Sequence, residues 1–167
     1  EYRREGGLVL DVGIRWAEDD PPARRHVILF DEIRSRLRAL PRVEHVGGIN
    51  ALPLVHGNYA DGTFLIMWRP DELGDARDIR EVIPLFQELM NDPSRTGEAS
   101  YRVAGPEYFE AMGIRLVRGR LLEERDGIDA PHVAVISESL ARTRWPDEDP
   151  IGKLVQFGNM DGHLRPF

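Results

Sequence analysis

Cysteine is absent from the 167 residues, which excludes disulfide scaffolds, thiolate metal sites and a cysteine nucleophile but identifies no compartment by itself. No apolar run approaches the ~20 residues that span a bilayer, and no basic-then-apolar signal peptide opens the chain. Read literally, this is a soluble protein; read as an excised domain, it is silent about what flanks it. Positive charge is not in excess: 22 Lys and Arg against 29 Asp and Glu leave a net charge of −7. That balance supports solubility and argues against nucleic-acid binding, which needs clustered positive charge. The five histidines, His26, His45, His56, His132 and His163, are dispersed, with no HExxH and no closely spaced ligand pair. GxGxxG and GxSxG are missing, and Gly152-Lys153 lacks the upstream glycine and following Ser/Thr of a phosphate loop. No cofactor, metal or catalytic residue is therefore expected.

What is present is ordinary globular usage, 41% hydrophobic and 31% charged, so the chain is expected to bury a core. Leu8, Leu10, Val12 and Ile14 alternate as one face of a strand. Asp20-Pro21 reads as an N-cap and first helical position. The helix that follows carries Ala23, Val27, Phe30, Ile33, Leu37 and Leu40 on one apolar stripe and ends at Pro41. Its arginine face (Arg24, Arg25, Arg34, Arg36, Arg38) reads as solvated, with an acidic partner or lipid headgroups as the other reading. Strands are predicted at 43–51, where Gly47-Gly48 implies a bulge or close backbone packing, and at 63–68. Strand, helix and two further strands suggest a ferredoxin-like split βαβ subdomain.

Ile79, Val82, Ile83, Phe86, Leu89 and Met90 have helical spacing around Pro84, so a helix either starts near Pro84 or passes it with a kink. Beyond it, strands are expected at 100–104, 132–136 and 153–157. Helices are expected at 106–112, with Gly113 as C-cap, and from Ser137 to Trp145. Ser137 is a capping residue before it is a nucleophile. Glu123, Glu124, Asp126 and Asp129, and the run Asp147 to Asp149, lack calcium-loop spacing and read as solvated turns. His56 with Asp61 is the sole local His/Asp combination and reads as a solvated loop pair. The class is α+β, with mixed sheets and helices.

Several elements resemble those of MacB/FtsX-like ABC transporter permeases. Tyr101 to Ile114, YRVAGPEYFEAMGI, resembles "YRVVSPGYFRALGI"; Arg118-Gly119-Arg120 and Pro131 to Arg142 resemble "RGR…PVVVINEALAR". Trp145 to Lys153, WPDEDPIGK, resembles "WPGEDPIGK"; Leu37 to Glu44, LRALPRVE, resembles "LRALPGVE", and Ala51 to Leu54 resembles "ALPL". The likeness runs in order through nearly the whole chain, and looks most like the duplicated orphan permeases common in acidobacteria. It implies a MacB-like periplasmic core domain between the first transmembrane helix and the remaining ones, on the outer face of the bacterial cytoplasmic membrane. It further implies a dimeric permease, a separate or fused ATPase, a periplasmic adaptor or lipoprotein as partner, and export or extracytoplasmic movement driven by ATP hydrolysis elsewhere.

The expected division is subdomain 1 at 7–70 with 98–118, an inserted helical segment at 71–97, and a smaller α/β subdomain 2 at 119–167. Relatives continue past "LRPF" with an apolar strand, so subdomain 2 is expected to be truncated. The insertion's apolar face either caps the domain's own core or docks a partner or cargo. Candidate contacts are Ile79, Val82, Phe86 and Leu89 there, with Leu54, Val55, His56, Asn58 and Tyr59 in the long loop. Two other functions stay open: a small-ligand or peptide-binding receptor domain, and a hydrolase with an unrecognised site near His56 and Asp61.

Overall fold

The computed structural model describes residues 7–12, 22–53, 60–72, 79–127 and 129–157. The fold is α+β and divides into two compact units: residues 1–52 with 103–130, and residues 53–102 with 131–167. Among the described residues no helix is long and apolar enough to cross a membrane.

The second unit is built around one strand. β1 (Ala60–Met67) lies between β2 (Thr96–Tyr101) and β3 (Leu154–Gln156), antiparallel to both, with Leu65 opposite Thr96 on one side and Gln156 on the other. Its run Phe64-Leu65-Ile66-Met67 is wholly buried, as a central strand covered on both faces requires. The period of two sorts these residues. Leu65 and Met67 pack with Leu89 and Phe86 of α2 (Ile79–Met90) and with Leu154. Phe64 and Ile66 pack with Trp145, Val155, Ile136, Phe157 and Leu140 of α4 (Glu138–Arg144).

α2 runs through Pro84 without a break, which resolves the two readings of that segment in favour of a helix from Ile79. Proline there has no amide to donate back to the first turn. The helix ends where Asp92 Oδ1 accepts from the Ser94 amide and hydroxyl, at 2.9 and 2.6 Å. α4 starts as its sequence says: Ser137 Oγ accepts from the Leu140 amide at 3.2 Å, supplying one orphan donor of the first turn.

The first unit holds α1 (Pro22–Arg38) and the short α3 (Tyr108–Ala111). Residues 47–50 meet residues 103–105 through an Ile49–Ala104 bridge, two backbone bonds (Asn50 amide to Val103 carbonyl and Gly105 amide to Gly48 carbonyl, both 2.9 Å) and one to a side chain, Val103 amide to Asn50 Oδ1 at 3.0 Å. Gly47 lies so close to α3 that a Cβ would stand 2.3 Å from the Tyr108 Cα. The sequence reading of Gly47-Gly48 as a close approach is thus met at Gly47.

Four predicted strands are corrected. The one expected at 100–104 lies earlier in the chain, as β2 at Thr96–Tyr101. Residues 7–12 form no ladder, and Leu8 is 85% exposed; residues 43–51 contribute a single bridge rather than a strand. Residues 132–136 are extended chain, of which Ile136 packs on the core while Val135 is exposed. Alternation makes a segment compatible with a strand, but only a partner's hydrogen bonds make it one. Without strands at 7–12 and 43–51, the split βαβ detail finds no support among the described residues. The α1 stripe is also less covered than its spacing implies: Val27, Phe30 and Leu40 are exposed, while Ile33 and Leu37 are half-buried. Arg34, Arg36 and Arg38 of its arginine face are not free, since they pair with Glu124, Glu32 and Glu107 respectively.

Candidate functional site

Residues 68–95 join β1 to β2, so the two ends of that segment fix where α2 presents its faces. Both ends meet at one buried guanidinium. Arg95 binds Glu72 in a two-pronged pair, Nη1 to Oε1 at 2.7 Å and Nη2 to Oε2 at 2.8 Å. Its Nε and Nη2 also donate to the Ile66 carbonyl, at 3.0 and 2.9 Å. The Trp68 amide donates to Glu72 Oε2 at 2.8 Å, and the guanidinium lies 4.2 Å from the centre of the Trp68 ring. Planar, multidentate bonding of this kind suits arginine rather than lysine. The hydrogen bonds from Arg95, with help from the Trp68 amide, hold the Glu72 carboxyl below its ordinary pKa.

On this clamp α2 turns Leu89 into the core and Phe86 partly into it, against Leu65 and Met67. Ile83 and Met90 are exposed on the same helix. Of the candidate contacts, Ile79 and Val82 lie on the α2 backbone, and the structure describes nothing of their side chains. Leu54, Val55, His56, Asn58 and Tyr59 lie outside the described residues. The His56–Asp61 combination cannot be read for the same reason, since Asp61 is placed only as β1 backbone. Among the described residues no three His, Asp or Glu side chains are grouped to hold a metal ion.

A second clasp stands in the Arg118-Gly119-Arg120 element. Arg120 grips Asp126 with both nitrogens, at 2.6 and 2.7 Å, and donates to the Leu121 carbonyl; Asp126 Oδ2 also accepts from the Glu123 amide at 2.9 Å. These bonds, those from Arg120 first, lower the Asp126 carboxyl to about 2. Glu124 is likewise held low by Arg34. The acidic run read as a solvated turn is therefore a turn closed by arginines. Neither the Glu72–Arg95 clamp nor this clasp was signalled by local sequence pattern; the only trace is that the second arginine of the RGR element is followed six residues later by Asp126.

The sign of these shifts sets a pH dependence. A carboxylate with a lowered folded pKa contributes stability that is present above the unfolded pKa of ~4 and is lost as pH falls through the folded value. For Asp126 the window runs from ~4 down to about 2. Denaturant unfolding across this range is expected to show stability falling on acidification, with a shallower fall in Asp126→Asn. Parallel curves for the two proteins would contradict the assignment.

Residues 57–167 match the family model described as the MacB-like periplasmic core domain. The chain is 38% identical over 79 residues to the macrolide export ATP-binding/permease protein MacB of Aggregatibacter actinomycetemcomitans, covering 47% of this chain and 11% of that protein. It is 36% identical over 59 residues to MacB of Neisseria gonorrhoeae, covering 35% and 9%. With MacB 2 of Aeromonas hydrophila the figures are 30% over 67 residues, covering 40% and 10%. The chain thus spans about a tenth of the length of these relatives. No solved structure matches it. The family match extends from β1 through the α2 clamp, the RGR clasp and β3, and on that ground the chain belongs to the MacB-like periplasmic core domain family, the periplasmic domain of ABC transporter permeases.

Proposed function

We propose that this domain is a non-catalytic coupling module on the extracytoplasmic face of the bacterial cytoplasmic membrane. The observation that carries the reading is the family match over residues 57–167. In the full-length protein it joins the permease's transmembrane helices, works in a dimeric permease, and receives its motion from a separate or fused ATPase. A periplasmic adaptor or lipoprotein is the partner class, and export or extracytoplasmic movement the outcome. Movement of parts of the domain as rigid bodies transmits the change.

The buried charges support a structural role for the best-formed polar groups: Arg95 and Glu72 satisfy each other and the strand end. The contact surface is the insertion, through Ile79 and Val82, with Leu54, Val55, His56, Asn58 and Tyr59 in the loop before β1. Of the other two helix candidates, Leu89 is buried in the core and Phe86 packs partly against it, so they orient the helix while its outward side meets the partner.

Coupling is testable without knowing the cargo. Hydrogen exchange of this domain, measured in the full-length membrane-embedded transporter, is expected to differ between the nucleotide-free and ATP-bound states. Identical exchange throughout residues 7–157 in the two states would exclude coupling through the domain.

A further inference from the structure

Among the described residues, two other than glycine have positive φ: Arg42 at 70° and Glu107 at 62°. Each follows a proline. Each closes a turn of the type that favours glycine at that position, through a Val43 amide to Leu40 carbonyl bond at 3.3 Å and a Tyr108 amide to Gly105 carbonyl bond at 3.4 Å. The family elements quoted above have Pro-Gly at both places. An L side chain in this region is unfavourable, so the two positions ask what each side chain does in return. Arg42 is exposed and makes no ion pair among the described residues. Glu107 differs: its carboxylate pairs with Arg38 at the end of α1, accepts from the Val46 amide at 3.3 Å, and lies 3.9 Å from His45 Nδ1.

We propose that Glu107 is a conformational latch, a side chain set in a glycine position so that its carboxylate ties the C-terminal end of α1 and the Val46 backbone to the turn that starts α3. Arg38 suits the task, since a cation in the last helical turn faces the negative end of the helix dipole. The end of α1 and residue 46, neighbours in the chain, are thereby tied to the distant residues 105–108. A bare Pro-Gly turn makes the same bend but leaves Arg38 and the Val46 amide unheld.

The test uses the 167-residue chain with native-state hydrogen exchange at the Val46 amide. Glu107→Gly relieves the backbone and keeps the turn, so the protein folds, yet Val46 is expected to exchange about tenfold faster or more, as loss of a hydrogen bond to a charged group implies. Arg42→Gly, the same change at the turn without a latch, is expected to leave Val46 unchanged and to raise the unfolding midpoint. Arg38→Met is expected to accelerate Val46 exchange in the parent and to add nothing in the Glu107→Gly background. Unchanged Val46 exchange in Glu107→Gly, or an Arg38→Met effect of equal size in both backgrounds, would overturn the latch.

Discussion

Arg95→Ala is expected to destabilise the unit containing β1 by about 3–5 kcal/mol, the range for removing one partner of a buried ion pair. The side chain is 5% exposed. Its loss strands the Glu72 carboxylate and leaves the Ile66 carbonyl with fewer donors. Arg95→Lys is expected to recover only part of the loss, because an ammonium cannot bond both Glu72 oxygens and the carbonyl from one plane. Removing both charges together, Arg95→Met with Glu72→Gln, is expected to cost less than Arg95→Ala alone, since no unpaired charge is left behind. Urea unfolding followed by tryptophan fluorescence checks the series. A cost for Arg95→Ala below ~1 kcal/mol, the figure for an exposed pair, would contradict a buried clamp.

Gly47→Val is expected to cost about 3 kcal/mol or more, at the upper end of overpacking effects. The atoms a Cβ would meet are the Tyr108 Cα and N and the Glu107 carbonyl carbon, at 2.3, 2.5 and 2.9 Å. All three are backbone, so no side chain can swing aside. The neighbour supplies the control: a Cβ on Gly48 meets nothing within 4 Å, and Gly48→Ala is expected within ~1 kcal/mol of the parent. Equal costs at the two positions in denaturant unfolding would show that residues 47 and 108 do not approach as described.

The sequence shows some of this architecture and hides other parts, for physical reasons. α1 and α4 carry local signals, spacing and a serine cap, that act within one or two turns, and they form where expected. The run Phe64 to Met67 announces a strand buried on both faces because no polar residue interrupts it. Residues 8–12, 43–51 and 132–136 alternate or run apolar convincingly, yet a ladder depends on a partner that local pattern cannot supply. Arg95 and Glu72 lie 23 positions apart, and no short motif links them. Arg120 and Asp126 lie six positions apart, and the RGR element by itself names no partner. Of the candidate contacts, Leu89 and Phe86 show how an amphipathic stripe can be spent on the core, while the loop candidates from Leu54 to Tyr59 remain a proposal for the assembled transporter.

The central claim is that these residues face outward from the cytoplasmic membrane as part of a permease. Because this chain has no cysteine, one introduced at exposed Asp147 gives a clean reporter within an otherwise cysteine-free version of the full-length protein. Intact cells, with any outer membrane permeabilised, would be treated with a membrane-impermeant maleimide. The account predicts labelling of Asp147→Cys without lysis, alongside partition of the protein into the membrane fraction. Labelling only after the cytoplasmic membrane is broken would place the domain on the wrong side and contradict the account.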